Sequence, residues 1–231
     1  MGAFYRFAIT VASVLITAGI VWFVLKQYGQ SRPISPYQTD LARKLLNSQT
    51  PLLFKSWATG MPTRGDLFIQ TRFQNNQWVI GDTDHDLQSF LTEHEGGRIL
   101  LEVNLSSTSK AGELKKIINE TQAEAKVIFT SRSDGALKDL RELSPAWTFT
   151  NGEIFLARFL SLSSLGLAST MEIKADVFMI HMHNLKPSSD WISILREAKR
   201  QNKPIIIGPV TRPLEEYSVQ GWWIRPSSRD I

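Results

Sequence analysis

Arg98-Ile-Leu-Leu-Glu-Val-Asn104 is the stretch whose reading decides the fold. It is a compact apolar run of the sort buried on both faces of a parallel sheet, where strict in–out alternation of polar residues disappears. Two further runs read the same way, Lys126-Val-Ile-Phe-Thr130 and Lys203-Pro-Ile-Ile-Ile-Gly208. Outward from these, short apolar runs recur at 52–58, 67–73, 77–80, 147–150, 176–181 and 221–224. Helical patterns lie between most of them, at 84–94, 110–125, 134–143, 152–160, 189–202 and 213–217, with a further helix at 40–46. The segment Asp190-Trp-Ile-Ser-Ile-Leu-Arg-Glu-Ala-Lys-Arg200 carries apolar residues at helical spacing and a basic finish, and Asn202-Lys-Pro stops it. Strands alternating with helices predict an α/β domain on a parallel sheet. A barrel and an open doubly wound sheet both fit that rhythm. No Gly-x-Gly-x-x-Gly turn and no phosphate-binding Gly-Lys-Ser/Thr loop follows the early runs, which counts against a nucleotide-binding sheet.

Composition narrows the function classes. With no cysteine among 231 residues, a disulfide scaffold, a thiolate zinc site and a cysteine nucleophile are excluded. The formal charge is +4, but Arg6 and Lys26 flank an apolar segment, and residues 27–231 keep 24 basic and 22 acidic side chains. No basic stripe remains, so nucleic acid is not an expected partner.

Residues 7–25 form that uncharged segment, 19 residues long. At ~1.5 Å rise per residue it just spans a ~30 Å hydrocarbon layer. Tyr5 and Trp22 lie near its ends, where amphipathic rings favour the interface. A cleaved signal peptide has a shorter apolar core and a small-x-small cleavage site. This run ends in Trp-Phe-Val-Leu-Lys instead. The expectation is a single-pass membrane anchor over 1–26, a polar linker over 27–35 that does not continue the helix, and one domain over 36–231. Counting basic residues on the two flanks leans weakly toward a cytoplasmic domain. Long domains cross largely regardless of charge, however, and a short amino tail stays inside most easily, so the domain is expected to be extracytoplasmic.

The strand-end motifs, taken in order, resemble those of the glycerophosphodiester phosphodiesterases. Phe68-Ile-Gln-Thr-Arg-Phe-Gln-Asn-Asn-Gln-Trp-Val-Ile-Gly-Asp82 is similar to that family's second strand and hairpin, where Glu-x-Asp leads through a polar turn to Val-x-His-Asp. Asp86-Leu-Gln-Ser-Phe-Leu91 followed by Arg98-Ile-Leu-Leu-Glu-Val-Asn104 resembles its Leu-x-x-x-Leu helix and Ile-Glu-Ile-Lys strand. Ala175-Asp-Val-Phe-Met-Ile-His-Met-His183, the helix after it and Lys203-Pro-Ile-Ile-Ile-Gly-Pro-Val-Thr-Arg-Pro-Leu-Glu-Glu216 resemble its late strand, helix and final segment. Gly221-Trp-Trp-Ile-Arg-Pro226 sits where the family ends. The resemblance covers most of residues 52–226. It implies a TIM-like βα-barrel, trimmed because ~250 residues is the usual size, and phospholipid-derived phosphodiesters as the substrate class.

The departures bear on chemistry. The resemblance implies a His-Arg-Gly at the first strand, where Lys55-Ser-Trp-Ala-Thr-Gly60 stands, and a second histidine where Gly81 stands before Asp82. The two metal carboxylates of Glu-x-Asp fall on Gln70 and Arg72. Glu102 alone matches, and the lysine that follows it in the family is Asn104. A reaction that needs acid–base histidines and a divalent metal loses its parts here. The expectation is a degenerate, pseudoenzyme-like member: a membrane-anchored barrel that binds a phospholipid-derived ligand or a membrane-protein partner. The alternative is an active hydrolase in lipid metabolism with a remodelled site, and only that alternative calls for Mg²⁺ or Ca²⁺.

The remodelled site would use His181 and His183, which share one face of a strand, together with Glu102 and Asp82. Against it, one histidine ends the strand and the other bonds a loop carbonyl. The cluster Asp82, Asp84, His85 and Asp86 reads better as a helix start capped by Thr83 or Asp84. Lys55 and Arg64 suit phosphate but also simple solvation, and the sequons at Asn104 and Asn119 arise readily by chance. Trp57, Trp78, Trp147 and Trp223 are expected in the core and Trp191 half-buried. Trp222 and Trp223 are adjacent in a strand, so one of them faces the lumen as a candidate ligand wall.

Overall fold

The computed structural model describes residues 2–34, 39–58, 60–81, 83, 85–105, 108–182, 190–214 and 217–225. Nine strands form one sheet: β1 (Leu52–Ser56), β2 (Leu67–Gln74), β3 (Gln77–Ile80), β4 (Ile99–Val103), β5 (Val127–Thr130), β6 (Thr148–Phe149), β7 (Phe178–His181), β8 (Ile205–Val210) and β9 (Gly221–Ile224). Their order is β6-β5-β4-β2-β1-β9-β8-β7, and every neighbour in that row is parallel. β3 folds back antiparallel on β2 through Asn75 and Asn76, both with positive φ. Asparagine tolerates that left-handed turn better than most residues.

The sheet curls until its edges meet. The amides of Asp176 and Val177 donate to the Phe149 carbonyl at 2.9 and 3.1 Å. Beyond them a side chain takes over the ladder: Asn151 Oδ1 accepts from the Met179 amide at 2.8 Å, and its Nδ2 donates to the Met179 carbonyl at 3.0 Å. The structure therefore selects the barrel over the open sheet.

Strand alternation sorts the core into three parts. Phe54, Phe68, Leu100, Ile128, Val177, Met179, Ile206 and Trp223 fill the lumen. Ile69, Ile99, Leu101, Val127 and Phe129 face outward, under α3 (Leu87–Glu93), α4 (Thr108–Glu120) and α5 (Asp134–Leu143). Phe178, Ile180, Ile205, Ile207 and Trp222 face outward under α6 (Glu153–Ser164) and α7 (Asp190–Arg200). The barrel is trimmed: among the described residues no α-helix joins β1 to β2 or β8 to β9.

A short helix, α2 (Asp40–Leu46), closes the amino-terminal end of the lumen with Leu41, Ala42 and Leu45. Its cap Thr39 shares a 2.7 Å hydroxyl bond with Thr148 at the start of β6. The carboxyl-terminal end of the strands is the open mouth.

Several expectations need correction. The first helix, α1 (Gly2–Ser31), runs five residues into the expected linker. Gly29 is accommodated there because it packs directly on Ser169, where a side chain would collide. Pro33 then disfavours helical geometry just before it, and the helix stops. Trp191 is fully buried, at 1% exposure, because α7 presents it to the sheet. Asp86, not Thr83 or Asp84, caps α3, its carboxylate accepting from the Ser89 amide at 2.9 Å. Residues 213, 214 and 217 are not helical, and Asp84 lies outside the described residues.

Candidate functional site

The carboxyl ends of β2, β4 and β5 and the hairpin shape a cleft of about 360 Å³ whose polar lining includes Gln70, Arg72, Glu102, Asn104 and Arg132. These residues recur at every second position, so one strand face supplies them all. The β2–β4 register sets Gln70 opposite Glu102, and the amide donates to Glu102 Oε2 at 3.0 Å. Arg132, just beyond β5, places Nε 3.4 Å from Glu102 Oε1 and 3.8 Å from Glu153 Oε1. Both oxygens of Glu102 are thus engaged.

Burial raises the pKa of Glu102, and Arg132 and Gln70 oppose that rise. The folded chain therefore holds this proton more tightly than the unfolded chain. Its ionisation costs stability as the pH climbs above the ordinary value of 4.5. Glu102→Gln removes that cost and leaves Arg132 its contact with Glu153. Urea unfolding between acid and neutral pH is expected to show wild type losing stability relative to the variant as pH rises. A difference that does not change with pH would contradict the reading.

Across the lumen, His181 ends β7 at 5% exposure. Its ring stands edge-on to Trp223, with centroids 6.3 Å apart. Trp223 stacks on Phe68 at 3.9 Å and donates its indole N–H to Ser56 Oγ at 2.9 Å. Gly208 faces it, and a Cβ there would collide with that of Trp223. Of the tryptophan pair, Trp223 faces the lumen and Trp222 is packed outward in the core.

Glu102 and His181 thus stand at the same end of the barrel, but His181 is not among the residues lining the cleft. Among the described residues, no group of three or more His, Asp or Glu side chains is placed to hold a metal ion. His183 and Asp82 lie outside the described residues. Trp57 sits beyond β1 against His85 and Phe90, at 5.5 and 5.2 Å. Lys55 is exposed on β1, and Arg64 pairs through its backbone with Glu95, away from the cleft.

Arg132 was not anticipated from the sequence. The available signal was its position two residues after Thr130, on the face that Glu102 occupies one strand away.

No protein-family model matches the sequence, and no curated protein does. Solved structures do match. A glycerophosphodiester phosphodiesterase from Parabacteroides distasonis superposes with a TM-score of 0.51 at 13% identity, over 69% of this chain and 79% of that one. A glycerophosphoryl diester phosphodiesterase from the same organism gives 0.52 at 10% identity, over 83% and 90%. A Galdieria sulphuraria protein assigned to the same activity gives 0.54 at 12% identity, over 77% and 95%. The chain has the glycerophosphodiester phosphodiesterase fold.

Within the glycerophosphodiester phosphodiesterase fold, the positions singled out by the motif resemblance converge. Gln70, Arg72 and Glu102 line one cleft, at the mouth where chemistry sits in barrels. Their donor set does not fit a divalent cation. With Asn104 and Arg132 added, it offers one carboxylate, already engaged on both oxygens, beside two neutral amides and two guanidinium groups.

Proposed function

We propose that this chain is a membrane-anchored barrel that binds a phospholipid-derived phosphodiester at its mouth without hydrolysing it. The observation that carries the reading is the exchange of charge in the cleft. Arg72 stands where the resemblance places a metal carboxylate, Arg132 lines the same cleft, and Glu102 is held by Gln70 and Arg132. The guanidinium groups of Arg72 and Arg132 suit a phosphodiester anion, which planar, donor-rich groups bind well. A metal bridging protein carboxylates to phosphate is not needed for that contact.

Anchoring is supported by the apolar helix. Residues 7–31 lie in one helix long and apolar enough to cross a bilayer, and every residue from 7 to 25 is exposed. Nineteen exposed apolar or uncharged residues in a row have no place in water.

The test is saturable binding of glycerophosphocholine to the full chain in lipid nanodiscs, read by calorimetry. We expect binding that survives EDTA and falls at least tenfold in Arg72→Gln/Arg132→Gln. Binding that requires Ca²⁺ or Mg²⁺, or that is unaffected by the double substitution, would defeat the proposal.

A further inference from the structure

The anchor helix does not hang from a loose tether; it is docked. Trp22 donates its indole N–H to the Leu165 carbonyl at 2.8 Å, and Lys26 lies over the same indole ring at 4.8 Å. One helical turn beyond, Gly29 is pressed against Ser169, and its carbonyl accepts from Arg200 at 3.4 Å. Arg32 pairs with Glu172 at 3.1 Å. Three points along the chain, at Trp22, Gly29 and Arg32, fix the direction of α1 relative to the barrel.

All the barrel residues in these contacts lie at one end. Leu165 follows the carboxyl end of α6, Ser169 belongs to the 3-10 turn Ala168–Thr170, and Arg200 ends α7. Outer helices of a parallel barrel run opposite to the strands. Their carboxyl ends therefore lie beside the strand starts, the end that α2 plugs. The mouth is at the other end. Before Trp22 the helix leaves the domain, with residues 7–21 all exposed.

Position along the helix sets the depth. Lys26 marks the polar limit of the uncharged run, and Trp22 lies one turn inside it. Leu165, bonded to Trp22 and 60% exposed, is carried to the lipid boundary. In water that side chain has no partner; in the headgroup region it does.

We propose that the barrel stands on the bilayer by its amino-terminal face, with Leu165 in the interface and the mouth opening to water on the far side. The mouth then faces solution and not the leaflet beneath it. This rests on the anchoring reading above. β2 alone, with eight residues, spans roughly 25 Å at ~3.3 Å per residue, so the rim stands well clear of the headgroups.

The test places an environment-sensitive fluorophore at Leu15→Cys, Leu165→Cys or Gln77→Cys in the full chain, which has no native cysteine, reconstituted in phosphatidylcholine vesicles. Gln77 is exposed on the hairpin at the mouth end. We expect acyl-chain nitroxide lipid to quench most of the emission at Leu15, and headgroup nitroxide lipid most of that at Leu165. Gln77 should respond to a water-soluble quencher alone. Headgroup quenching at Gln77, or none at Leu165 while Leu15 is quenched, would overturn the orientation and leave the anchor standing. An unquenched Leu15 would overturn the anchor itself.

Discussion

Asp176→Ala is expected to lower the free energy of unfolding by about 3–5 kcal/mol, the usual cost of stripping one partner from a buried charge group. Asp176 is fully buried between the barrel and α5. Its Oδ2 accepts from the Phe149 amide at 2.9 Å and lies 3.5 Å from Arg141 Nη2. Lys203, 4% exposed, stands in the same field: burial pushes its pKa down and Asp176 pulls it up. Removing the carboxylate takes away the larger counter-charge acting on the buried ammonium, leaving it Glu172, and the partner of a partly buried guanidinium. It also frees the Phe149 amide, whose residue holds the β6–β7 edge. Asp176→Asn keeps an acceptor for that amide and should recover part of the loss. Guanidinium unfolding checks both variants, and a loss below about 1 kcal/mol for alanine would mean the charges are screened.

Hydrolysis of glycerophosphodiesters is expected to be negligible in wild type with Mg²⁺, Ca²⁺ or Zn²⁺. A single general acid or base supplies roughly 10²–10⁴-fold in rate, and neither position of the family's histidine pair holds one: Lys55-Ser-Trp-Ala-Thr-Gly60 and Gly81 stand there. Arg72 also repels a divalent cation, by about 4 kcal/mol per unit charge at 4 Å for an effective dielectric near 20. The informative comparison is wild type against Glu102→Gln/His181→Ala. Equal background rates in both are the expected outcome. Turnover well above background that disappears in the double variant would establish the remodelled site of Glu102, His181 and His183 instead.

Much of the fold was legible because both of its signals are local. Apolar runs at 77–80 and 221–224 and helices at 40–46 and 134–143 coincide with the observed elements, since length and periodicity decide them. The helix end at Ser31 was not legible. Gly29 reads as a breaker until its close contact with Ser169, 140 residues away, is known. Trp191 looks amphipathic at a helix start, and only the packing of α7 on the sheet buries it. In the site, Gln70, Arg72 and Glu102 could be placed on strand ends from their motifs. Their convergence with Arg132 depends on strand neighbours, which no single segment encodes. The seam at Asn151 is of the same kind: an asparagine after a strand reads as a turn residue, and its ladder role appears only when β7 arrives.

The separation of the outer core into two clusters has a kinetic consequence. One cluster draws its members from residues 67–149 and the other from 156–222, so each belongs to a continuous stretch of chain. Each half can bury its strands under its own helices through contacts of modest sequence separation, which form early. The β1–β9 ladder is different, joining Phe54 to Trp223. Closing so long a loop carries a large entropic penalty before any contact compensates it. Ring closure is therefore expected to come late in folding, after each half has buried its outer face.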